Sequence, residues 1–249
     1  CLVNLHDTIN ISKIKSKKFD KIYFKGPFSK NVFKSNNSIK KVLDFLRKYK
    51  LISNYFKIKV NKKIPVFAGL GGGSSNAFTL LKFIKQKKIK KEILNKLINL
   101  VGTDLRLFFN KQGYLRNLKK VEKLSKNHKL YFMIVYPNIK CSTEKIYSKI
   151  KKYSKKRKFP AKNLKSKKKF INQILNLNND LQLIVEKKYP LIRKLLFNIS
   201  KQRDCYLARM TGSGSACFGL FSNENSSKVA LKKLRKKYPK FWFSIAKTI

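Results

Sequence analysis

The stretch Pro65–Thr79, PVFAGLGGGSSNAFT, constrains this chain more than any other. Gly69, Gly71, Gly72 and Gly73 are followed at once by Ser74, Ser75 and Asn76. Glycine reaches backbone angles closed to other residues and lets a ligand approach the main chain. Ser-Ser-Asn reads as a helix N-cap, and Ala77, Leu80, Leu81 and Ile84 recur at helical spacing. A glycine turn opening a helix offers free backbone N–H groups and the positive end of the helix dipole to an anion, most often a phosphate. The loop is not a P-loop, because no Lys-Ser or Lys-Thr pair follows the glycines. It also lacks the acidic residue that a dinucleotide fold places about twenty positions on. The plainer reading of the same residues is a tight turn before a core helix.

The rest of the chain alternates strand and helix patterns. Strands are expected within 2–14, at 22–24 and at 55–60, with a helix after Asn36-Asn37-Ser38 carrying Ile39, Val42, Leu43, Leu46 and Tyr49. A helix with Ile93, Leu94, Leu97, Ile98 and Val101 on one face ends at Gly102. Leu130–Tyr136 reads as an apolar strand. Asn178-Asn179-Asp180 caps a long helix that Pro190 should break. Between 148 and 170 the chain is rich in lysine, and a solvated surface segment is expected. A helix over 225–238 and a strand over 241–246 complete the pattern.

Two further stretches carry possible chemistry. Gly102-Thr103-Asp104 sets one of only 11 acidic residues beside a glycine at a helix end. Asp104 either caps the next short turn or is a carboxylate that orients and deprotonates an attacking hydroxyl. Thr211-Gly212-Ser213-Gly214-Ser215 forms a second glycine turn between two apolar strands, fit for contact with phosphate oxygens.

Composition bounds the rest. With 249 residues, 43% of them hydrophobic, the chain is long enough for one large domain or two smaller ones. No apolar run approaches the roughly 18 residues of a membrane span, and no signal peptide pattern is present. Cys1, Cys141, Cys205 and Cys217 are scattered without metal spacing, so no protein metal site is expected and a reduced, cytoplasmic protein is. Lys and Arg total 61 against 11 acidic residues, a net charge of +50. Two readings of that charge stand side by side. One is a nucleic-acid partner reached through phosphate contacts. The other is an AT-rich coding bias toward Lys, Asn and Ile, which implies no specific nucleic-acid partner.

Pro65–Ala77, Gly102–Asp104, Asn179–Gln182 and Ala208–Phe221 together resemble the GHMP kinase superfamily, in order and over almost the whole chain. The resemblance implies an α/β fold of two layers. A ribosomal-protein-S5-like ATP-binding domain would span 1–128, and a ferredoxin-like domain 129–249, with the substrate between them. The extra glycine of Gly71-Gly72-Gly73-Ser74-Ser75-Asn76 points to the members whose small-molecule substrate is a diphosphocytidyl methylerythritol, phosphorylated on its 2-hydroxyl in non-mevalonate isoprenoid synthesis. By that pattern Pro65, Ala68, Gly69, Leu70, Gly71, Gly72, Gly73, Ser74, Ser75 and Asn76 hold ATP, which brings Mg²⁺, and Asp104 is the base. Thr211, Gly212, Ser213, Gly214 and Ser215 would close on phosphate or substrate. The sequence starts at Cys1 inside a strand-like run, so the family's Lys-Ile-Asn-Leu motif, with its catalytic lysine and the aromatic–His pair for cytosine, is expected upstream. Arg106 stands where the family has proline, and Arg116–Lys120 lacks the family's glycine. A GHMP-fold chain without activity and a basic nucleic-acid binder of S5-like fold remain the competing readings.

Overall fold

Period-2 alternation builds the first sheet. β1 (Thr8–Ile14), β2 (Lys21–Lys25) and β3 (Tyr55–Asn61) pair in the order β1-β3-β2 in this computed structural model, which describes residues 1–15, 18–84, 89–150, 153–154 and 159–249. β1 runs antiparallel to β3, with Ile9 opposite Val60 and Ile11 opposite Ile58, and β2 runs parallel to β3. Because successive side chains point to opposite faces, Phe56, Ile58 and Val60 are buried while Lys57 and Lys59 are exposed. Three helices cover the apolar face: α1 (Ser38–Lys48), α2 (Gly72–Ile84) and α3 (Lys91–Val101). Asn37 caps α1, accepting from the Lys40 N–H at 3.0 Å. Asp20 ties the far end of α1 to the sheet, accepting from Arg47 Nη1 at 2.6 Å, Arg47 Nη2 at 2.8 Å and the Phe56 N–H at 2.8 Å.

A hairpin follows, β4 (Gly113–Arg116) with β5 (Lys120–Lys123), and then the second sheet. The sheet holds β6 (Tyr131–Tyr136), β7 (Cys205–Met210), β8 (Cys217–Phe221) and β9 (Trp242–Lys247), all antiparallel, in the order β7-β8-β6-β9. With α7 (Pro190–Ser200) before β7 and α8 (Glu224–Lys237) between β8 and β9, this is the ferredoxin-like order that the family resemblance implies. Between β6 and α7 run α4 (Thr143–Tyr147), α5 (Lys167–Leu175) and α6 (Asp180–Lys188), and Pro190 does separate α6 from α7. One face of the sheet packs on Val185, Ile192, Leu195, Ile199, Ala230 and Leu234. The other face is covered as well, by Phe159, Ala161, Leu164, Phe170 and Ile171. Cover on both sides is why β6 is apolar throughout rather than alternating.

That second cover corrects the expectation of a solvated surface segment over 148–170. Phe159, Ala161, Leu164 and Phe170 are buried. Residues 151–152 and 155–158 of the same stretch lie outside the described residues. The expected domain division, 128 against 129, falls just before β6. By packing, Val3, Leu5, Tyr114 and Leu124 from ahead of it join the outer face of the second sheet. Among the described residues no helix is long and apolar enough to cross a membrane.

Candidate active site

The glycine loop connects β3 to α2, and its backbone does the shaping. Gly69 and Gly71 take φ of +70° and +67°, angles that cost a residue with a Cβ about 1–2 kcal/mol. α2 begins at Gly72, with the Gly71 carbonyl accepting from the Ser75 N–H at 2.9 Å. Ser74, Ser75 and Asn76 therefore lie inside the first turns of α2 and do not form its N-cap, contrary to the expectation. A positive-φ glycine swings the chain into the helix without a capping side chain. The first N–H groups of α2 consequently have no helical acceptor and face outward.

They face a cavity of about 460 Å³. Of the residues expected to hold ATP, Pro65, Ala68, Gly69, Leu70, Gly71, Gly72, Gly73, Ser74 and Asn76 line it; Ser75 does not. Asp104 lines it too, brought in from the 3₁₀ turn Thr103–Phe109 that follows α3. Buried Leu105 anchors that turn, as do ring contacts of Phe78 with Phe108 and Phe109, at 6.1 Å and 5.0 Å between centroids. Asp104 does not cap the turn, and its carboxylate has no hydrogen bond or ion pair to any described residue. It is open to the cleft, yet the protein around it desolvates the charge and raises its pKa above the ordinary carboxylate value.

The second glycine turn, between β7 and β8, reaches the first turn main chain to main chain. Thr211 Oγ1 donates to the Gly69 carbonyl at 2.9 Å, and the Ala216 N–H donates to the Ala68 carbonyl at 3.1 Å. The approach is so close that a Cβ on Gly69 would lie 2.2 Å from the Thr211 carbonyl oxygen. Gly212 and Ser213 enter the cavity, and Ser213 Oγ is 2.9 Å from Thr143 Oγ1. Thr211 faces an adjoining cavity of about 440 Å³, which shares Tyr147 and Gly212 with the first. Gly214 and Ser215 line neither cavity; Ser215 is fully buried, its hydroxyl donating to the Ile139 carbonyl. The turn is thus split between residues that face a ligand and residues that fix its shape.

Several lining residues escaped the sequence reading. Lys62 forms a buried ion pair with Asp7 and lines the cavity. In a chain with 61 Lys and Arg residues no single lysine stands out, but Asp7, one of 11 acidic residues, was as rare a signal as Asp104. Tyr147, half-exposed, has its phenol pKa raised by burial first and then by the charge of Asp104. Phe33 and Phe67 meet edge to face at 6.0 Å on the same wall. Burial raises the thiol pKa of Cys141, Cys217 and Cys205, the last to about 11, so these three are protonated near neutral pH.

A glycine-loop domain and a ferredoxin-like domain meeting over one carboxylate define the class as GHMP kinases. The GHMP kinases N terminal domain model matches residues 37–106, and the GHMP kinases C terminal model matches 158–240. The 4-diphosphocytidyl-2-C-methyl-D-erythritol kinase of Pelagibacter ubique (strain HTCC1062) is 36% identical over 252 residues, covering 99% of this chain and 88% of that protein. The enzyme of the same name from Ureaplasma parvum serovar 3 is 31% identical over 86% of this chain and 80% of its own length. The chain belongs to the 4-diphosphocytidyl-2-C-methyl-D-erythritol kinase family of GHMP kinases. A crystal structure of 4-(cytidine 5'-diphospho)-2C-methyl-D-erythritol kinase superposes with a TM-score of 0.72 at 19% identity, covering 98% of this chain and 87% of that one. Homoserine kinase from Cytophaga hutchinsonii follows the same fold, with a TM-score of 0.65 at 17% identity over 99% of this chain and 87% of its own.

Proposed function

We propose that the chain transfers the γ-phosphate of ATP to the 2-hydroxyl of 4-diphosphocytidyl-2-C-methyl-D-erythritol, a step of non-mevalonate isoprenoid synthesis. One observation carries the reading: the glycine loop, the second turn and a carboxylate with no hydrogen bond or ion pair among the described residues share a single cavity. Phosphoryl transfer asks mainly for positioning and charge stabilisation. The outward N–H groups at the start of α2 supply both for the phosphates. Asp104 orients the 2-hydroxyl and takes its proton as the new O–P bond forms and the bond from the γ-phosphorus to the bridging oxygen breaks, releasing ADP. Its raised pKa makes it a stronger proton acceptor once ionised. Thr211, Gly212 and Ser213 close the cleft from the second domain, with Gly214 and Ser215 holding the shape of that turn. Tyr147 lines the same cavity within the field of Asp104, so it borders the reacting end of the substrate. The domains divide at 128/129 in this reading, and the free cysteines suit a cytoplasmic location.

Mg²⁺ would arrive with ATP. Among the described residues no group of three His, Cys, Asp or Glu side chains could hold a metal ion, and the cavity lining brings one carboxylate, Asp104. That donor set fits a magnesium ion held chiefly by nucleotide phosphates and water, which would supply charge neutralisation to the transferring group. The test is ADP release in a coupled assay with Mg²⁺-ATP, with and without the diphosphocytidyl substrate. The reading expects release to depend on the substrate. A folded, ATP-binding chain that carries the Lys-Ile-Asn-Leu motif expected upstream and still shows no stimulation rules it out.

A further inference from the structure

Lys62 ends the strand side of the glycine loop, and its side chain lines the cavity while being only 5% exposed. Its partner Asp7 is 0% exposed and accepts four donors: the Lys62 ammonium, the Lys63 N–H at 2.8 Å, the Ile64 N–H at 2.9 Å and Asn76 Nδ2 at 3.0 Å. Four donors fill the acceptor sites of a carboxylate, so Asp7 has nothing left for a ligand. Lys62 is in the opposite position. An ammonium has three N–H donors, and Asp7 is the one acceptor that this ammonium meets among the described residues. A Cβ on Gly72 would lie 3.4 Å from Lys62 Nζ, which sets the charge beside the first residue of α2. A cation there opposes the helix dipole unless an anion answers both. Asp7 answers on the protein side, and the cavity side is left for a ligand.

We propose that Lys62 is a phosphate-binding residue of the ATP site and that Asp7 is the positioning residue that holds its ammonium at the N-terminus of α2. The inference rests on the cavity being the ATP site. Asp7 fixes the strand entering the loop through Lys63 and Ile64, and the helix leaving it through Asn76. One buried carboxylate thereby sets the spacing between the lysine and the helix N–H groups. When a polyphosphate binds, the unused N–H donors of Lys62 turn to it, and the ammonium bridges Asp7 and ligand.

A purely structural ion pair is separable from this role, because a buried pair that serves packing alone is replaced by neutral groups at little cost. The double variant Asp7→Asn/Lys62→Met removes both charges. Its new amide oxygen still accepts from Lys63 and Ile64, and its new NH₂ donates to Asn76 once that amide flips. Mg²⁺-ATP binding is measured by titration calorimetry, with urea unfolding in parallel. The expected result is a folded variant whose ATP affinity is lower by about ten- to hundredfold, the range of a hydrogen bond to a charged group. Affinity equal to the parent's in the folded double variant overturns the proposal. Should that variant fail to fold, Lys62→Gln decides in its place, since its amide still donates to Asp7 but carries no charge. Loss of ATP affinity supports the proposal, and parental affinity overturns it. A parent chain that binds no ATP would sink the reading of the cavity itself, a result distinct from either.

Discussion

Gly69→Ala tests the claim that the two glycine turns are built against each other. Gly69 has φ +70°, where an alanine costs about 1–2 kcal/mol. Its Cβ would also lie 2.2 Å from the Thr211 carbonyl oxygen and 3.0 Å from the Gly214 nitrogen, both main-chain atoms that cannot rotate aside. Forcing such a group into a packed interface typically costs about 1–3 kcal/mol. The sum is roughly 2–5 kcal/mol, a large share of the stability of an ordinary domain. Gly73→Ala is the control, because its Cβ would meet nothing nearer than Ser38 Oγ at 3.6 Å, and alanine is favoured over glycine within a helix. Urea unfolding followed by tryptophan fluorescence reads both, since Trp242 packs with Ala68, Leu70 and Ala216 where the turns meet. The midpoint should drop for Gly69→Ala and hold or rise for Gly73→Ala. Equal midpoints for the two variants would refute the interlocked turns.

Three further outcomes are expected. Asp104→Asn should lower turnover by about 10²- to 10⁴-fold, the usual loss for a general base, with ATP affinity by calorimetry nearly unchanged. The same variant should be more stable than the parent at neutral pH. Burial raises the folded-state pKa of Asp104, so the folded state holds the proton to higher pH and stability falls as pH climbs from the ordinary carboxylate value through the folded one; urea midpoints at pH 4 and pH 7 for both proteins check this. Gly72→Val should act through packing and through Lys62 together, because its Cβ would lie 3.1 Å from Ile64 Cγ2 and 3.4 Å from Lys62 Nζ; a lowered urea midpoint and weakened ATP binding are the readouts. Finally, the net charge of +50 should give duplex-DNA association that falls steeply with salt and ignores sequence, as fluorescence anisotropy between low and physiological salt would show.

Much of this protein was legible because its signals were local. Alternation in Tyr55–Asn61, the Asn37 and Asn179 caps and the break at Pro190 each depend on neighbours in sequence, and each appears in the structure. What escaped depended on distant partners. The hairpin β4–β5 turns through Asn117 and Leu118, both at positive φ, and leucine gives no turn signal there. Phe159, Ala161 and Leu164 sit in the lysine-rich stretch that reads as solvated, and only the outer face of the second sheet gives them a reason to be apolar. The N-cap misreading of Ser74-Ser75-Asn76 came from applying a side-chain rule where glycine backbone geometry does the work. At the site, glycine spacing showed the loop and the scarcity of acids showed Asp104. Lys62 was hidden by abundance, and the contact of Thr211 with Gly69 spans 142 positions that no periodicity encodes.

The most direct test of the central claim is the product itself. ³¹P NMR of a reaction holding the chain, Mg²⁺-ATP and 4-diphosphocytidyl-2-C-methyl-D-erythritol should show a new phosphomonoester resonance, assigned to the 2-hydroxyl by its coupling, beside an intact diphosphate and growing ADP. The Asp104→Asn chain should leave the monoester region empty over the same time. A parent reaction that consumes no ATP, or that places phosphate at another hydroxyl, would contradict the account.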